Sequence, residues 1–134
     1  MAVLLAKESI DLGIVTTQPE RMLTFYSEIL GFAKIVEITL PHGGHMYQLA
    51  CGTSLIKIVV NGKHPVVNAI PGCIPNATGY RYFTITVTNL HELVALCREA
   101  GSIIVFSARE IRPGVVIAMV EDPDGNWVEF LQNG

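Results

Sequence analysis

The feature that most constrains the fold is an internal repeat, in which the second half of the chain follows the order of the first at an offset of about 71 positions. Each half begins with a strand-like segment and continues with an amphipathic helical segment that ends at a glycine, Gly31 or Gly101. Three further strand-like segments complete each half. The repeated order predicts an α+β fold made of two βαβββ modules with mixed sheets.

Composition sets the boundaries of these modules. We predict an N-terminal module over residues 8–60 and a C-terminal module over residues 79–133, within a single domain that spans 1–134. The segment between them, 61–78, is dense in glycine, proline, asparagine and histidine. Such a composition is typical of a long linker loop of the kind that often covers a site.

The last hairpin contains a charged residue in an apolar strand. A tight turn over Asp122–Asn126 precedes a strand that runs from Trp127 to Gln132, and Glu129 stands between Val128 and Phe130. Because side chains alternate between the two faces of a strand, Glu129 shares a face with Trp127. A carboxylate in that position is either exposed to solvent on an edge strand or placed there for a function.

The polar residues that interrupt the strands coincide under the repeat. Lys57 aligns with Glu129, and Asp11 aligns with Tyr82. Independent surface residues have no reason to coincide in this way, so the four positions are the candidate functional site.

The overall composition excludes several classes of partner. Half of the residues are apolar and only 16% are charged, against about 25% in an average domain, which favours a dimer interface, an apolar ligand cavity, or both. The net charge of −3, without a basic cluster, argues against nucleic acid and anionic membranes. Three widely spaced cysteines predict neither a disulfide framework nor a zinc knuckle. Without a signal peptide or a run long enough to span a membrane, we expect a cytoplasmic protein.

The motifs together resemble the glyoxalase I/bleomycin-resistance, or vicinal oxygen chelate, superfamily. The matching pieces lie in both halves and are, in order, Phe25-Tyr26, Leu30-Gly31-Phe32, Val87 with Asn89-Leu90, Gly101, and Asp122–Asn126 running into Val128-Glu129-Phe130. The resemblance implies paired modules whose sheets curl around a shared cleft for a small molecule, commonly within a homodimer.

The resemblance also implies where a metal would bind. In metal-dependent members, four strand positions carry His, Glu or Gln, His, and Glu around a divalent cation, and by position this chain offers Asp11, Lys57, Tyr82 and Glu129. Only Glu129 matches the usual residue type. Because the Lys57 ammonium has no free lone pair at neutral pH, we predict that the usual metal site is broken and that no cofactor is used, with a bound divalent metal as the alternative.

Two functions of different class follow from this set of residues. In the first, the protein is a glyoxalase-like lyase or isomerase that transfers a proton on a small oxygenated metabolite. Lys57 orients or polarises a carbonyl, Glu129 or Asp11 is the base, and Tyr82 donates a hydrogen bond. In the second, the same charges form a structural ion pair in a non-catalytic small-molecule binding protein of the bleomycin-resistance type. A ring-cleaving dioxygenase is disfavoured because the four positions hold no histidine.

Three further residues are candidates for substrate binding. Trp127 shares the face of Glu129, while Arg109 and Arg112 are predicted in the loop before the last hairpin, where they could meet a carboxylate. The alternative for the two arginines is that they are exposed loop charges.

Overall fold

The computed structural model describes residues 2–134, which divide into two compact units, one ending at Val66 and the other beginning at Val67. Each unit contains one four-stranded mixed sheet and helical segments that follow its first strand.

The first unit has its strands in the spatial order β1-β4-β3-β2. Its elements are β1 (Leu12–Val15), α1 (Pro19–Leu23) continued by a π-helical turn (Thr24–Ile29), β2 (Ala33–Thr39), a short 3-10 turn (Pro41–Gly43), β3 (His45–Cys51) and β4 (Ser54–Val60). Strand β1 pairs with β4 in parallel, and the other neighbouring strands are antiparallel.

The second unit repeats this topology, with the spatial order β5-β8-β7-β6. Its elements are β5 (Tyr82–Thr86), α2 (Leu90–Glu99), β6 (Ile104–Arg112), β7 (Val115–Glu121) and β8 (Trp127–Asn133). Here β5 pairs with β8 in parallel, just as β1 pairs with β4. The predicted α+β fold with two βαβββ modules is therefore confirmed.

Each sheet packs its helix on one face. In the first unit α1 contacts β4, and Met22, Phe25 and Tyr26 are buried together with Ile56 and Ile58 of that strand. In the second unit α2 contacts β6, β7 and β8, where Val128 and Phe130 are buried. We call the opposite side of each sheet its helix-free face. Residues that alternate with the buried ones, Lys57 in β4 and Glu129 in β8, lie on that face.

Both helical segments end at the glycine that the sequence predicts. Gly31 has φ +83° and Gly101 has φ +86°, values in the left-handed region that glycine adopts without strain. Across residues 2–134, no helix has the length and apolar character needed to cross a lipid bilayer.

Near the candidate residues, the bounds of β1 and β6 differ from the prediction. Strand β1 begins only at Leu12, so that Asp11 lies just before the strand. Strand β6 extends to Arg112, so the expectation that Arg109 and Arg112 lie in a loop is wrong. The register of β6 against β7 shifts three times along the strand. These bulges break the alternation of apolar and polar residues by which a strand is recognised in a sequence.

The start of α2 is bonded to a residue that is distant in the sequence. Asn89 precedes the helix, but its side-chain amide donates to Glu92 at 2.9 Å and does not accept from the helix backbone. The Leu90 N–H donates instead to Oε1 of Gln132 at 2.9 Å. Gln132 of β8 therefore joins the helix to the sheet.

We expect the substitution Gln132→Ala to lower the free energy of unfolding by about 1 kcal/mol, because it leaves a helix N-terminal donor without its acceptor. Urea denaturation followed by circular dichroism measures this change. The control is Asn133→Ala at the exposed neighbouring position, which should change stability by less than about 0.5 kcal/mol. Equal effects of the two substitutions would contradict a capping role for Gln132.

Candidate functional site

The first unit places Lys57 at the centre of its helix-free face. Lys57 lies opposite Gly13 in the parallel neighbour β1 and opposite Gln48 in the antiparallel neighbour β3. Its side chain is 33% exposed, while Ile56 and Ile58 on either side are buried against the helix. Strand alternation thus directs the ammonium to the helix-free face, within a row formed by Gly13, Lys57 and Gln48.

Asp11 is held by two hydrogen bonds and by an ion pair with Lys57. Its Oδ1 accepts from Lys7 Nζ at 2.7 Å and from the Leu55 backbone N–H at 2.9 Å, and its Oδ2 lies 3.9 Å from Lys57 Nζ. The hydrogen bond from Lys7, then that from Leu55, and more weakly the charges of both lysines, lower the pKa of the Asp11 carboxyl. A carboxylate stabilised in this way is a poor proton acceptor. Asp11 therefore suits an ion pair with Lys57 better than the role of a base.

The second unit places Glu129 on its helix-free face beside strand β5. Glu129 is the register partner of Thr84, and the Thr84 hydroxyl donates to Glu129 Oε1 at 2.7 Å. Tyr82 lies two residues earlier in β5, on the same face, opposite Trp127. The two predicted site residues of this unit, Tyr82 and Glu129, are therefore on adjacent strands and on one face.

Thr84 and Gln48 are two polar residues of these faces that the sequence reasoning missed. Tyr82, Thr84 and Thr86 are exposed and alternate with the half-buried Phe83 and Ile85. This alternation was visible in the sequence, but threonine is common in strands and gives no functional signal by itself. The partner of Thr84 lies 45 residues later, and the strand register alone identifies it.

Two of the three candidate substrate-binding residues, Trp127 and Arg109, have side-chain contacts that fix their position. The Trp127 indole Nε1 donates to Glu121 Oε1 at 3.1 Å, which fixes the ring next to β7. The guanidinium of Arg109 lies over the Phe106 ring, 3.9 Å from its centroid. Arg109 pairs with Ile117, the partner of Leu131, and so lies on the same face as Glu129 two strands away. Arg112 is exposed at the end of β6.

A cavity of about 610 Å³ lies along the edge strand of the second unit. Its lining combines the segment before β5 with residues of β5 itself, namely Ile74, Ala77, Thr78, Gly79, Tyr80, Arg81, Tyr82, Phe83 and Thr84. Volumes of this size are typical of small-molecule sites. Thr84 belongs to the cavity lining and donates a hydrogen bond to Glu129, so the Glu129 carboxylate lies next to the cavity.

The two carried-over positions of the first unit, Asp11 and Lys57, do not suit a divalent cation. In the first unit, the Lys57 ammonium and the Lys7 ammonium both contact the carboxylate of Asp11, so its oxygens already face positive charge. Within residues 2–134 there is no group of three or more histidine, cysteine, aspartate or glutamate side chains that could hold a metal ion. The donor chemistry of Asp11 and Lys57 thus suits an ion pair.

The cysteines are unsuited to nucleophilic chemistry. Burial raises the pKa of all three thiols, and that of Cys97 to about 11. The thiolate is the reactive form, so a raised pKa reduces the share of reactive thiolate near pH 7.

Comparison with known proteins identifies the family to which these features belong. Residues 10–130 match the family model described as the Glyoxalase/Bleomycin resistance protein/Dioxygenase superfamily. The chain is 28% identical over 120 residues to the lactoylglutathione lyase of Haemophilus influenzae, and the match covers 85% of this chain and 84% of that protein.

Solved structures support the same fold. A glyoxalase family protein from Bacillus cereus superposes with a TM-score of 0.82 at 15% identity, covering 98% of this chain and 96% of the other. Glyoxalase I from Zea mays superposes with a TM-score of 0.78 at 21% identity, covering 96% of this chain but only 46% of the maize chain.

Proposed function

Since the chain belongs to the glyoxalase/bleomycin resistance protein/dioxygenase superfamily, we propose that it is a glyoxalase-like lyase or isomerase that transfers a proton on a small oxygenated metabolite without the usual divalent metal site. The observation that carries this proposal is the ion pair between Lys57 and Asp11 at positions where relatives that bind metal place ligands. A fixed ammonium supplies the positive charge that a divalent ion would supply to a substrate oxygen.

The candidate residues have complementary roles in this reaction. Glu129 accepts a proton from the carbon next to a carbonyl group, and the electron pair of the broken C–H bond moves to the carbonyl oxygen to give an enolate. Lys57 stabilises the charge on that oxygen, and the Tyr82 phenol donates a hydrogen bond. When the carbon that loses its proton also bears a hydroxyl group, the hydroxyl proton moves to the enolate oxygen, and return of the proton from Glu129 to the former carbonyl carbon completes an isomerisation. When the next carbon bears a leaving group, loss of that group with the proton from Glu129 completes a lyase reaction.

Each role agrees with the environment of its side chain. The Glu129 carboxylate accepts one hydrogen bond at 2.7 Å, from Thr84 Oγ1, so that lone pairs on Oε2 can receive a proton. The carboxylate of Asp11, by contrast, is held by Lys7, Leu55 and Lys57. We therefore choose Glu129 as the base and assign Asp11 to the positioning of Lys57.

The proposal is tested by exchange of substrate hydrogens with solvent. The protein is incubated in D2O with a panel of small oxo and hydroxy acids, their thioesters, and lactoylglutathione, after removal of metals with a chelator. We expect deuterium at a carbon next to a carbonyl in at least one compound, measured by mass spectrometry as a gain of one mass unit. Activity that disappears with the chelator and returns with a divalent cation would overturn the metal-free part of the proposal.

A second function is favoured by the apolar residues of the first helix-free face. Val15 is 52% exposed, and Val36 and Ile38, opposite Gln48 and Met46, are each 38% exposed. An apolar face of this kind suits a non-catalytic protein of the bleomycin-resistance type that sequesters a small molecule, or the interface of a homodimer. Saturable ligand binding without any deuterium exchange would support this function over the first.

A further inference from the structure

We propose that the helix-free face of the first sheet binds one carboxylate group of the ligand, held by the Lys57 ammonium and the Gln48 amide in the space above Gly13. The inference rests on the proposed function, because it adds a carboxylate to the carbonyl oxygen on which Lys57 acts. It narrows the ligand to small carboxylic acids, among which oxo acids also carry the carbonyl group that the proton transfer requires.

The register of the sheet brings the two donors together. Lys57 and Gln48 are cross-strand partners in β4 and β3, and such partners have Cβ atoms about 4.5–5.5 Å apart on the same face. A carboxylate has two oxygens, so one can accept from the ammonium and the other from the side-chain amide.

The third member of the row provides the space. Gly13 is the partner of Lys57 on the other side, and a Cβ atom built on Gly13 would meet no heavy atom within 4 Å. Any larger residue at this position would project from the same face beside Lys57. The absence of a side chain therefore leaves an opening next to the ammonium.

The hydrogen-bonding capacity of both donors is incompletely used. Lys57 Nζ lies 3.9 Å from Asp11 Oδ2, a distance that suits an ion pair but exceeds that of a hydrogen bond. Gln48 Nε2 donates to Met46 Sδ at 3.6 Å, and a thioether sulfur is a weak acceptor that a carboxylate oxygen displaces. Each donor thus gains a stronger partner when a carboxylate binds.

The charges of Lys7, Lys57 and Asp11 determine which anion fits this site. Lys7 and Lys57 carry two positive charges and Asp11 carries one negative charge, which leaves a net charge of +1. A carboxylate monoanion neutralises this charge. A dianionic phosphate would leave the cluster negative beside the Asp11 carboxylate, so the site discriminates against phosphate.

The test is a titration of the full chain with sodium acetate at constant ionic strength, followed by the backbone amide NMR signals of Gly13, Gln48 and Lys57. We expect saturable shifts in the wild type and at least a tenfold weaker affinity in Lys57→Met. The matched control is Lys34→Met, because Lys34 belongs to the same sheet but pairs with Leu49 on the opposite face. This control should bind acetate as the wild type does.

Two further variants keep the test decisive if Lys57→Met fails to fold. Gly13→Val retains every charge and fills the opening, and should also weaken acetate binding at least tenfold. Gln48→Leu removes one hydrogen bond and should weaken binding about two- to tenfold. Normal acetate affinity in Gly13→Val, or inorganic phosphate binding as tightly as acetate, would overturn the inference.

Failure of this site and failure of the proposed function can be told apart. Acetate binding is measured without turnover, so it does not depend on the proton-transfer step. Acetate binding in a protein that catalyses no deuterium exchange would contradict the catalytic function and support the carboxylate site. Deuterium exchange that depends on Glu129, in a protein that does not bind acetate, would contradict the carboxylate site and support the catalytic function.

Discussion

Replacing Glu129 by glutamine is expected to lower the rate of proton transfer by about 100- to 10,000-fold, the range that positioned acid–base groups contribute. The amide has nearly the shape of the carboxylate and can still accept from the Thr84 hydroxyl, but it cannot accept a proton from carbon. The measurement is the initial rate of deuterium incorporation at saturating substrate. The control is Glu110→Gln at an exposed position of β6, which should keep the wild-type rate.

Variants at Thr84 separate the orientation of Glu129 from its chemistry. Thr84→Val removes the donor but keeps the shape, and should lower kcat about tenfold with little change in KM, because the Glu129 carboxylate loses the contact that orients it. Thr84→Ser retains the hydroxyl and should restore most of the rate. An unchanged rate in Glu129→Gln would show that the carboxylate is not the base, and would favour the binding function.

The largest effect on stability is expected at Asp122, in the turn that leads into β8. Asp122 is 4% exposed, and its carboxylate accepts from the Asp124 N–H, the Asn126 N–H and the Asn126 side-chain amide, each at 2.9 Å. Asp122→Ala leaves all three donors without this acceptor and should lower the free energy of unfolding by about 2–4 kcal/mol. Thermal or urea denaturation measures the loss.

The substitution Asp122→Asn provides the comparison that identifies the cause. Its single amide oxygen can replace only part of the acceptor set, so the loss should lie between zero and that of Asp122→Ala. A full-sized loss in Asp122→Asn would indicate that the negative charge, and not the number of acceptors, holds the turn. Wild-type stability in Asp122→Ala would contradict the importance of these bonds.

The repeat was sufficient to predict the fold because it fixes the order of the elements and not their exact ends. Alternation of apolar and polar residues identified β4 and β8, including the direction of Lys57 and Glu129. The same pattern failed at β6, because three register shifts interrupt the alternation in a strand that runs to Arg112. A bulge adds a residue to one strand only, so alternation fails although the pairing continues.

The parts of the candidate site that the sequence could not predict depend on contacts between distant segments. Thr84 bonds to Glu129, and Gln132 bonds to the start of α2, across separations of 45 and 42 residues. The ammonium near Asp11 was expected, but the role of Leu55 was not, because a backbone N–H has no sequence signature. Periodicity identifies the face on which a residue lies, and only the register identifies its neighbour.

The way in which Asp11 is bound couples its side chain both to Lys57 and to the backbone. Its carboxylate accepts from the Leu55 N–H near the start of β4 and also pairs with Lys57, so the charge at this position is tied to the backbone. Changing Lys57 alone to glutamate would place two anions side by side, and changing Asp11 alone would release both the strand end and the ammonium. A substitution at either position alone should therefore destabilise this sheet more than a paired replacement of both residues.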